Sequence, residues 1–338
     1  MSEPLIWLTE QDVVSLVLLD DAIEALERTI GAPGAFNVPK ALGAWGDGSS
    51  MHSLGSAVPA LGYAGYKNWV NTKRGATAVY SMFDAGDGRL LAVIEAAALG
   101  QLRTSAMTGV GTRWLAAARA DDMALVGTGA QAITQIAAVN AVRPLRRLRV
   151  WSPTADRRRA FVAKVRERFG FEVVDSGSVA QATEGATIVT LVTRAKEPFL
   201  SAPMLARGAH LNAVGAILPG HAEFQQDVFD RADVVVVDDL PNTQKASREF
   251  IERFGGGRGW DAVRPLGAVI AAGGGRPEGC DLSLFKAMGM GLSDLAVATM
   301  AYERAKARGI GRTLPAPVRA VPGWKGDRAG RDRNPTQD

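Results

Sequence analysis

The stretch LVGTGAQA, residues 125–132, decides the fold of this 338-residue chain. A predicted strand that ends at Val126 is followed by a glycine loop and by a helix that begins near Ala130. The loop has the pattern G-x-G-x-x-A, formed by Gly127, Thr128, Gly129, Ala130, Gln131 and Ala132. Its glycines allow a tight turn and a close approach of the backbone to a pyrophosphate, for which the helix N-terminus supplies donors. Because a second predicted strand follows within about 30 residues, the loop indicates a dinucleotide-binding Rossmann unit; a glycine turn without a ligand is the alternative.

The hydrophobic periodicity changes near residue 120, and this change divides the chain into two predicted parts. Beyond it, short runs rich in β-branched residues alternate with helical or turn-rich segments: MALVG, RLRVWS, FEVVD, ATIVTLVT, HLNAVGA and DVVVVDD. That alternation predicts a parallel sheet built from βαβ units. Before it, GYAGYKNWVN, ATAVYSMFDA and RLLAVIEA predict an antiparallel meander over 62–95, and a long helix over 99–118 follows. A last helix over 293–308 is predicted beyond the final strand, packed back on the first part of the chain.

Composition and charge exclude several classes of protein. Hydrophobic residues at 47% and charged residues at 22% are typical of an ordinary soluble globular protein. The single cysteine, Cys280, excludes an internal disulfide framework, gives no reason to expect a metal site, and fits the cytoplasm. We expect no membrane partner, because no apolar run approaches the roughly 20 residues of a spanning helix, and the start of the chain reads as a helix capped by Thr9.

The net charge of +4 comes largely from arginines at 143–161 and from a tail, 319–338, that is predicted to be disordered. Neither region carries an aromatic platform or a recognition motif. We therefore expect no nucleic-acid partner.

The end of the second predicted strand, RVWSPTADRRRAF, bears on the choice of cofactor. In NAD sites an acidic residue about 20 residues beyond the glycines binds the ribose hydroxyls. Here that position is Ser152, and Thr154, Arg157 and Arg158 follow it. Hydroxyl and guanidinium groups suit a 2′-phosphate, so we predict a preference for NADP(H), with NAD(H) as the alternative. The simpler interpretation is that Thr154 only caps a helix and that the arginines are solvated.

Several segments, taken in order, give the chain a family resemblance: GYKNWVN, FDAGDGRLLAVIEAAALGQLRTSAMTGVGTRWLA, ALVGTGAQA, VTRAKEPFL, GAHLNAVGA and LFKAMGMGLSDLA. Over roughly residues 35–310 they resemble the ornithine cyclodeaminase/mu-crystallin family. The resemblance implies a homodimer whose subunit has an α/β fold with two domains. One is a Rossmann-type parallel-sheet domain, residues 120–292. The other is an α+β substrate-binding and dimerisation domain made from both chain ends, residues 1–119 and 293–338.

The resemblance also implies nicotinamide-dependent chemistry at the carbon between an amine or imine nitrogen and a carboxylate. Lys67 in GYKNW and Arg103 in LRTSA match the family residues that contact the substrate carboxylate, which favours a bidentate guanidinium and a second cation. Without the resemblance, an outward strand lysine and a helix-surface charge would be the simpler interpretations. Lys67, if neighbouring cations lower its pKa, is also a candidate proton source for the imine nitrogen. The further cofactor contacts that we expect are Thr104, Val192, Thr193, Val214, Gly215, Met288 and Gly289.

The chain departs from the family pattern at several positions. Lys40 stands where relatives have an arginine after a proline, and Met51 and His52 lie where the substrate loop is expected, without the glutamate of the cyclodeaminases. In the segment NAVGAILPGHAEF, Ile217 takes the place of the cyclodeaminase aspartate and His221 that of a lysine. Each histidine has a structural interpretation, although His52 or His221 could relay a proton.

We therefore predict an NAD(P)H-dependent oxidoreductase of a small amino or imino acid. The favoured activity is that of an imine reductase, acting on a ketimine or cyclic imino acid, or of an amino-acid dehydrogenase. The alternatives are an ornithine-type cyclodeaminase with bound NAD and a non-catalytic NADPH-binding, crystallin-like protein.

Overall fold

The computed structural model describes residues 3–46 and 48–324, so the predicted disordered tail lies outside the described residues from 325 onward. The strands are β1 (Leu5–Leu8), β2 (Phe36–Trp45), β3 (Ser49–Val58), β4 (Tyr63–Thr72), β5 (Gly75–Asp84), β6 (Leu90–Glu95), β7 (Asp122–Val126), β8 (Arg147–Trp151), β9 (Glu172–Asp175), β10 (Ile188–Leu191), β11 (Ala209–Ala213), β12 (Ala232–Val237), β13 (Val263–Pro265), β14 (Leu282–Lys286) and β15 (Arg312–Leu314). The helices are α1 (Glu10–Leu16), α2 (Leu19–Ile30), α3 (Ala97–Leu115), α4 (Ala132–Val142), α5 (Ala155–Arg166), α6 (Val179–Thr183), α7 (Asp227–Arg231), α8 (Leu240–Ala246), α9 (Arg248–Phe254), α10 (Leu266–Ala271) and α11 (Gly291–Arg308).

The first sheet combines strands from both chain ends in the order β15-β1-β6-β5-β4-β3-β2. Strands β2 to β6 form an antiparallel meander, while β1 runs parallel to β6 and antiparallel to β15. The predicted strands over 62–95 are confirmed as β4, β5 and β6. The sequence prediction missed β2 and β3, because Pro39 and Gly43 interrupt the pattern of β2 and Gly55 that of β3. The irregularity between Val38 and Ala41 accommodates Pro39 on the edge strand β2.

The second sheet is parallel throughout, in the order β13-β12-β14-β11-β10-β7-β8-β9. The predicted α/β fold with a Rossmann-type parallel sheet is therefore confirmed. The runs identified in the sequence became β7 to β12, whereas β13 and β14 were missed because their apolar patterns are short. The chain crosses over between β7 and β10, and ligands of such sheets bind at the carboxyl ends of the strands beside this point.

Helices α3 and α11 lie in the interior and pack on each other; α3 contacts strands of both sheets, whereas α11 contacts strands of the first sheet. Helix α3 packs closely on the second sheet, since a Cβ at Gly111 would lie 2.6 Å from the Phe285 ring of β14. Helix α11 packs on β3 and β4, as predicted for the last helix. The prediction that this helix lies beyond the final strand is wrong, because the three-residue β15 follows it and pairs with β1 at Leu5. Within the described part of the chain, no helix is both long enough and apolar enough to cross a membrane.

Candidate active site and cofactor loop

The glycine loop lies at the carboxyl end of β7 and leads into α4, which begins at Ala132, two residues later than predicted. Gly127 has a φ of +111°, and a Cβ there would lie 2.6 Å from the carbonyl oxygen of Val192. Gly129, in contrast, is exposed, and a Cβ there would meet no atom within 4 Å among the described residues. Gln131 Oε1 is buried there without a hydrogen-bond partner among these residues. The loop therefore has the close packing on one side and the free backbone on the other that fit a dinucleotide.

Two further loops at this sheet edge are tied together by Glu223, a residue that the sequence analysis missed. Glu223 Oε1 accepts hydrogen bonds from the N–H and the hydroxyl of Thr193, at 2.7 and 2.8 Å. Its Oε2 accepts from the N–H groups of Gly215 and Ala216, at 2.9 and 3.0 Å. Thr193 follows β10 and Gly215 follows β11, where Val214 is buried. Glu223 thus fixes the two loops in which Val192, Thr193, Val214 and Gly215 were predicted as cofactor contacts.

A buried ion pair lies behind Glu223 and supports the same loop. Lys286, at the end of β14, donates from Nζ to the carbonyl oxygen of Ala216 at 2.6 Å and lies 3.4 Å from both oxygens of Glu249. Glu249 Oε1 in turn accepts from the N–H of Glu223 at 3.1 Å. Burial raises the pKa of Glu223, although the charge of Lys286 and the hydrogen bonds to Thr193 and Ala216 act in the opposite direction. Lys286, Glu249 and Glu223 therefore have a structural role, because their polar groups bond to one another and to the backbone of the loop.

The residues predicted to select the cofactor lie around the end of β8. Ser152 is buried and its hydroxyl accepts a hydrogen bond from Thr128 of the glycine loop at 3.1 Å. Thr154 occupies the N-cap position of α5, as the capping interpretation predicts, but its side chain forms no capping hydrogen bond. Arg158 pairs with Asp175 of β9 and donates to the carbonyl oxygen of Ser152 at 2.8 Å. Arg157 is exposed to solvent.

Lys67 and Arg103 come together on one buried carboxylate, that of Asp294. Lys67 Nζ lies 2.6 Å from Asp294 Oδ1, and Arg103 Nε lies 3.3 Å from the same oxygen. Lys67 is only 3% exposed, so it is not an outward strand lysine, and Arg103 is not a helix-surface charge. The backbone of Gly289, at the carboxyl end of β14, packs against the guanidinium, since a Cβ there would lie 2.9 Å from Arg103. The pair therefore lies at the same edge of the second sheet as the glycine loop.

An aromatic platform continues this cluster along the first sheet. The ring of His52 stacks on Trp69 with centroids 4.5 Å apart and an interplanar angle of 4°. The ammonium groups of Lys67 and Lys40 lie 5.0 and 5.9 Å from the centre of the Trp69 ring. Burial, with the charge of Arg103, lowers the pKa of Lys67 to about 8 and also lowers that of Lys40. Burial and the charge of Lys40 lower the pKa of His52. Such an excess of positive charge suits a carboxylate.

Met51 is not brought to this cluster. Successive side chains of a strand point to opposite faces, so Met51 lies on the face of β3 opposite to that of His52. It pairs with Val70 and Gly43 there and is 54% exposed. The sequence analysis placed both Met51 and His52 near substrate because it had not identified β3 as a strand.

The other predicted residues occupy several environments. Thr104, one position after Arg103, donates from its hydroxyl to Gly100. Met288 is buried, and its N–H and that of Gly289 donate to the carboxylate of Asp238 at 2.8 and 2.7 Å. Burial raises the pKa of Asp238 to about 6. The sequence analysis missed Asp238, as it did Asp294 and Trp69.

His210, Ile217 and His221 lie in or after β11; Ile217 stands where the cyclodeaminases have an aspartate. His210 is fully buried, with Nδ1 2.9 Å from Ser283 Oγ and Nε2 3.0 Å from Asn212 Oδ1, and burial lowers its pKa to about 3. Its structural interpretation fits these contacts. Ile217 and His221 are half-buried in the loop that follows β11.

The two sheets, the glycine loop and the buried cation cluster define an α/β protein of the Rossmann type with a second, mainly antiparallel sheet. A family model described as "Ornithine cyclodeaminase/mu-crystallin family" matches residues 63–309. The chain belongs to the ornithine cyclodeaminase/mu-crystallin family, so the resemblance is confirmed.

Known relatives agree with this membership. The chain is 29% identical to a Delta(1)-pyrroline-2-carboxylate reductase of Bacillus cereus over 245 residues, which are 72% of this chain and 75% of the relative. The structure superposes on an archaeal alanine dehydrogenase dimer with bound NAD with a TM-score of 0.85, at 24% identity over 92% of this chain and 99% of that one. It superposes on the Thermococcus litoralis Delta(1)-pyrroline-2-carboxylate reductase in complex with NADH and L-proline with a TM-score of 0.86, at 23% identity over 92% and 100% of the two chains. The predicted class, an oxidoreductase acting on C=N or CH–NH bonds, agrees with these proteins.

Proposed function

We propose that this protein reduces the C=N bond of a small imino acid with a nicotinamide cofactor, or catalyses the corresponding amino-acid dehydrogenation. The observation that carries the proposal is the convergence of Lys67, Arg103 and Lys40 at the sheet edge that also bears the glycine loop. Substrate carboxylate and cofactor pyrophosphate would then be bound side by side, each by the groups that suit it. The bound dinucleotide would supply the hydride.

The side chains have separate roles in this proposal. Arg103 and Lys67 hold the substrate carboxylate, and Lys40 adds the third positive charge. Lys67 is also the proposed proton donor to the imine nitrogen, because a pKa of about 8 lets an ammonium give up its proton near neutral pH. The Trp69 and His52 rings form a flat wall beside the ammonium groups. His52 and His221 remain the alternative donors.

The cofactor contacts are proposed on the loops at the carboxyl ends of the second sheet. They comprise the glycine loop, the segments tied by Glu223, the loop at Met288 and Gly289, and Thr104. We propose a preference for NADP(H) over NAD(H), because Arg157 is free to meet a 2′-phosphate while Arg158 neutralises Asp175, which would otherwise repel it.

We further propose the two-domain division, residues 120–292 and the two chain ends, and a homodimer in the cytoplasm. Residues on the outer face of the first sheet support the dimer, since Met51, Tyr66 and Val70 are 54%, 40% and 40% exposed. A patch of apolar side chains of this kind usually marks an interface. The cytoplasmic location rests on the buried thiol of Cys280.

A spectrophotometric screen tests the proposal. Oxidation of NADPH and NADH would be followed with a panel of cyclic imino acids, and with 2-oxo acids plus amines. Turnover with at least one substrate is expected. A protein that shifts NADPH fluorescence but oxidises it with no member of the panel would instead be a crystallin-like binder.

A further inference from the structure

Asp294 connects the two cations of the proposed active site through one oxygen atom. We propose that Asp294 is a positioning residue: it fixes Lys67 and Arg103 side by side for the substrate carboxylate and keeps the Lys67 ammonium charged until it protonates the imine. This inference rests on the proposed function for its last step. Its first step, the control of Lys67 by Asp294, concerns the free protein alone.

The position of Asp294 follows from the way α11 begins. Gly291 opens the helix against β3, where a Cβ would lie 2.2 Å from the carbonyl oxygen of Gly55. Asn37 of β2 accepts a hydrogen bond from the N–H of Leu292 at 2.9 Å. The first turn is therefore fixed on the first sheet, and Asp294 points from it towards Lys67 of β4. The positive end of the helix dipole favours a negative charge at this turn.

The charges around Lys67 are unbalanced without Asp294. The titratable groups that face it are Arg103 from α3, Lys40 from β2, His52 from β3, Tyr80 from β5 and Asp294 from α11. Among the described residues, Asp294 is the carboxylate that contacts Lys67 directly; Asp238 of the second sheet acts on Lys40. Burial and Arg103 lower the pKa of Lys67, while the charge and hydrogen bond of Asp294 raise it again to the value of about 8. Losing the carboxylate would leave a buried ammonium beside two other cations.

The second carboxylate oxygen of Asp294 is an unused hydrogen-bond acceptor within the described part of the chain. This Oδ2 atom is buried without a hydrogen-bond partner among the residues that the structure describes, and the hydroxyl of Tyr80 is in the same condition. Burial and the negative charge of Asp294 raise the pKa of Tyr80 well above its usual value, so the phenol stays protonated. The Asp294 side chain is fully buried and its Oδ1 lies 2.6 Å from Lys67 Nζ, so solvent screens the interaction between the two groups only weakly.

In the proposed reaction, a proton moves from Lys67 to the imine nitrogen. Hydride addition to the imine carbon would break the C=N π bond and leave an electron pair on nitrogen; the proposed reduced nicotinamide cofactor would supply the hydride and be oxidised. That nitrogen takes a proton from Lys67, so that an N–H bond forms, one Lys67 N–H bond breaks and the lysine is left neutral. Lys67 then takes up a proton from the solvent, and Asp294 favours this uptake because it stabilises the ammonium.

The test compares Asp294→Asn with the unmodified protein and with Asp21→Asn. Asp21 forms an ion pair with Arg304 near the C-terminal end of α11, at 2.6 Å, and is the matched control for losing an acid that contacts this helix. Trp69 reports on Lys67 because the ammonium lies 5.0 Å from its ring centre. Tryptophan fluorescence would be titrated with pH without substrate, and the Trp69→Phe and Lys67→Met variants assign the transition.

We expect a midpoint near pH 8 for the unmodified protein and for Asp21→Asn. In Asp294→Asn the midpoint should fall by about one pH unit or more, since the variant loses a charge-assisted contact. An unchanged midpoint in a folded Asp294→Asn protein overturns the inference. Asp294→Ser, which is smaller and also neutral, gives the same comparison if the asparagine variant does not fold.

Turnover then tests the last step separately. The alkaline limb of kcat/KM should shift to lower pH in Asp294→Asn by the same amount as the fluorescence midpoint. A fluorescence shift without a shift of that limb overturns the proton-donor part. Because the titration needs no substrate, a protein that oxidises NADPH with no imino acid refutes the proposed function while the effect of Asp294 on Lys67 is still measured.

Discussion

The carboxylate of Glu223 accepts hydrogen bonds from both the backbone N–H and the hydroxyl of Thr193, at 2.7 and 2.8 Å. This contact joins the loop after β10 to the loop after β11, because the second oxygen of Glu223 accepts from Gly215 and Ala216. Both loops lie at the sheet edge where a dinucleotide binds in this fold. Glu223 is therefore expected to act on cofactor affinity without touching the cofactor.

The first prediction concerns Glu223→Gln. The amide NH₂ would face backbone N–H donors, and a buried polar group that loses its partner costs about 1–3 kcal/mol. We expect the Kd of the reduced cofactor, measured by fluorescence titration, to rise about tenfold or more, with a lower Tm. Glu252→Gln is the control, since Glu252 is an exposed partner of Arg248 on α9. Unchanged affinity in a folded Glu223→Gln protein would show that the two loops hold their positions without this carboxylate.

The second prediction concerns Arg103→Met. Cofactor binding should be nearly intact, while kcat/KM for an imino acid falls at least about tenfold, because one charge-assisted contact is worth about 1.5–3 kcal/mol. Arg113→Met is the control on the same helix, where Arg113 pairs with Glu27 outside the cluster. Steady-state kinetics with the substrate found in the screen decide the point. Kinetics equal to those of the unmodified protein would remove Arg103 from the site.

The sequence predicted residues that belong to local patterns and missed those that meet only in three dimensions. Gly127 and Gly129 were predicted as cofactor contacts because a strand, a turn and a helix lie within one short segment. Lys67 and Arg103 were predicted as substrate contacts through the family motifs around them. Asp294 lies 227 positions from Lys67, and no local periodicity indicates that the two side chains meet. Strand alternation could not be applied to Met51 from the sequence, because β3 was not predicted as a strand.

The third prediction concerns the cofactor. NADPH should bind more tightly than NADH, and the preference should shrink in the Arg157→Ala/Arg158→Ala double variant. The single variant Arg157→Ala separates the roles, because Arg158 is already engaged with Asp175 and the backbone of Ser152. Arg159→Ala is the matched control, since the exposed Arg159 pairs with Asp156. Direct titration with both cofactors measures the preference, and equal affinities or a preference for NADH would contradict the prediction.

The fourth prediction is a loss of stability in acid caused by His210. Its folded-state pKa of about 3 lies below the value of about 6.5 for an unfolded histidine. Between these pH values the unfolded chain binds more protons than the folded protein, so the free energy of unfolding falls as the pH drops through this window. This one group contributes at most about 1.4 kcal/mol per pH unit. The free energy of unfolding would be measured with urea at several pH values between 7 and 4. It should fall less steeply with decreasing pH in a folded His210→Asn protein than in the His221→Gln control. Equal pH dependences would exclude His210 as the cause.

The last prediction concerns L-ornithine. The cyclodeaminases carry an aspartate where this chain has Ile217, and an isoleucine cannot accept a proton from an ammonium group. Glu223, in the segment that follows, is no substitute, because both its oxygens are bonded to Thr193, Gly215 and Ala216. A general base is typically worth about 10²–10⁴-fold in rate, so its absence should be conspicuous. We expect neither proline nor ammonia from L-ornithine with NAD⁺ or NADP⁺, measured by chromatography and an ammonia assay. Stoichiometric proline formation by the unmodified protein would show that another group, such as His52 or His221, acts as the base and that the chain is a cyclodeaminase.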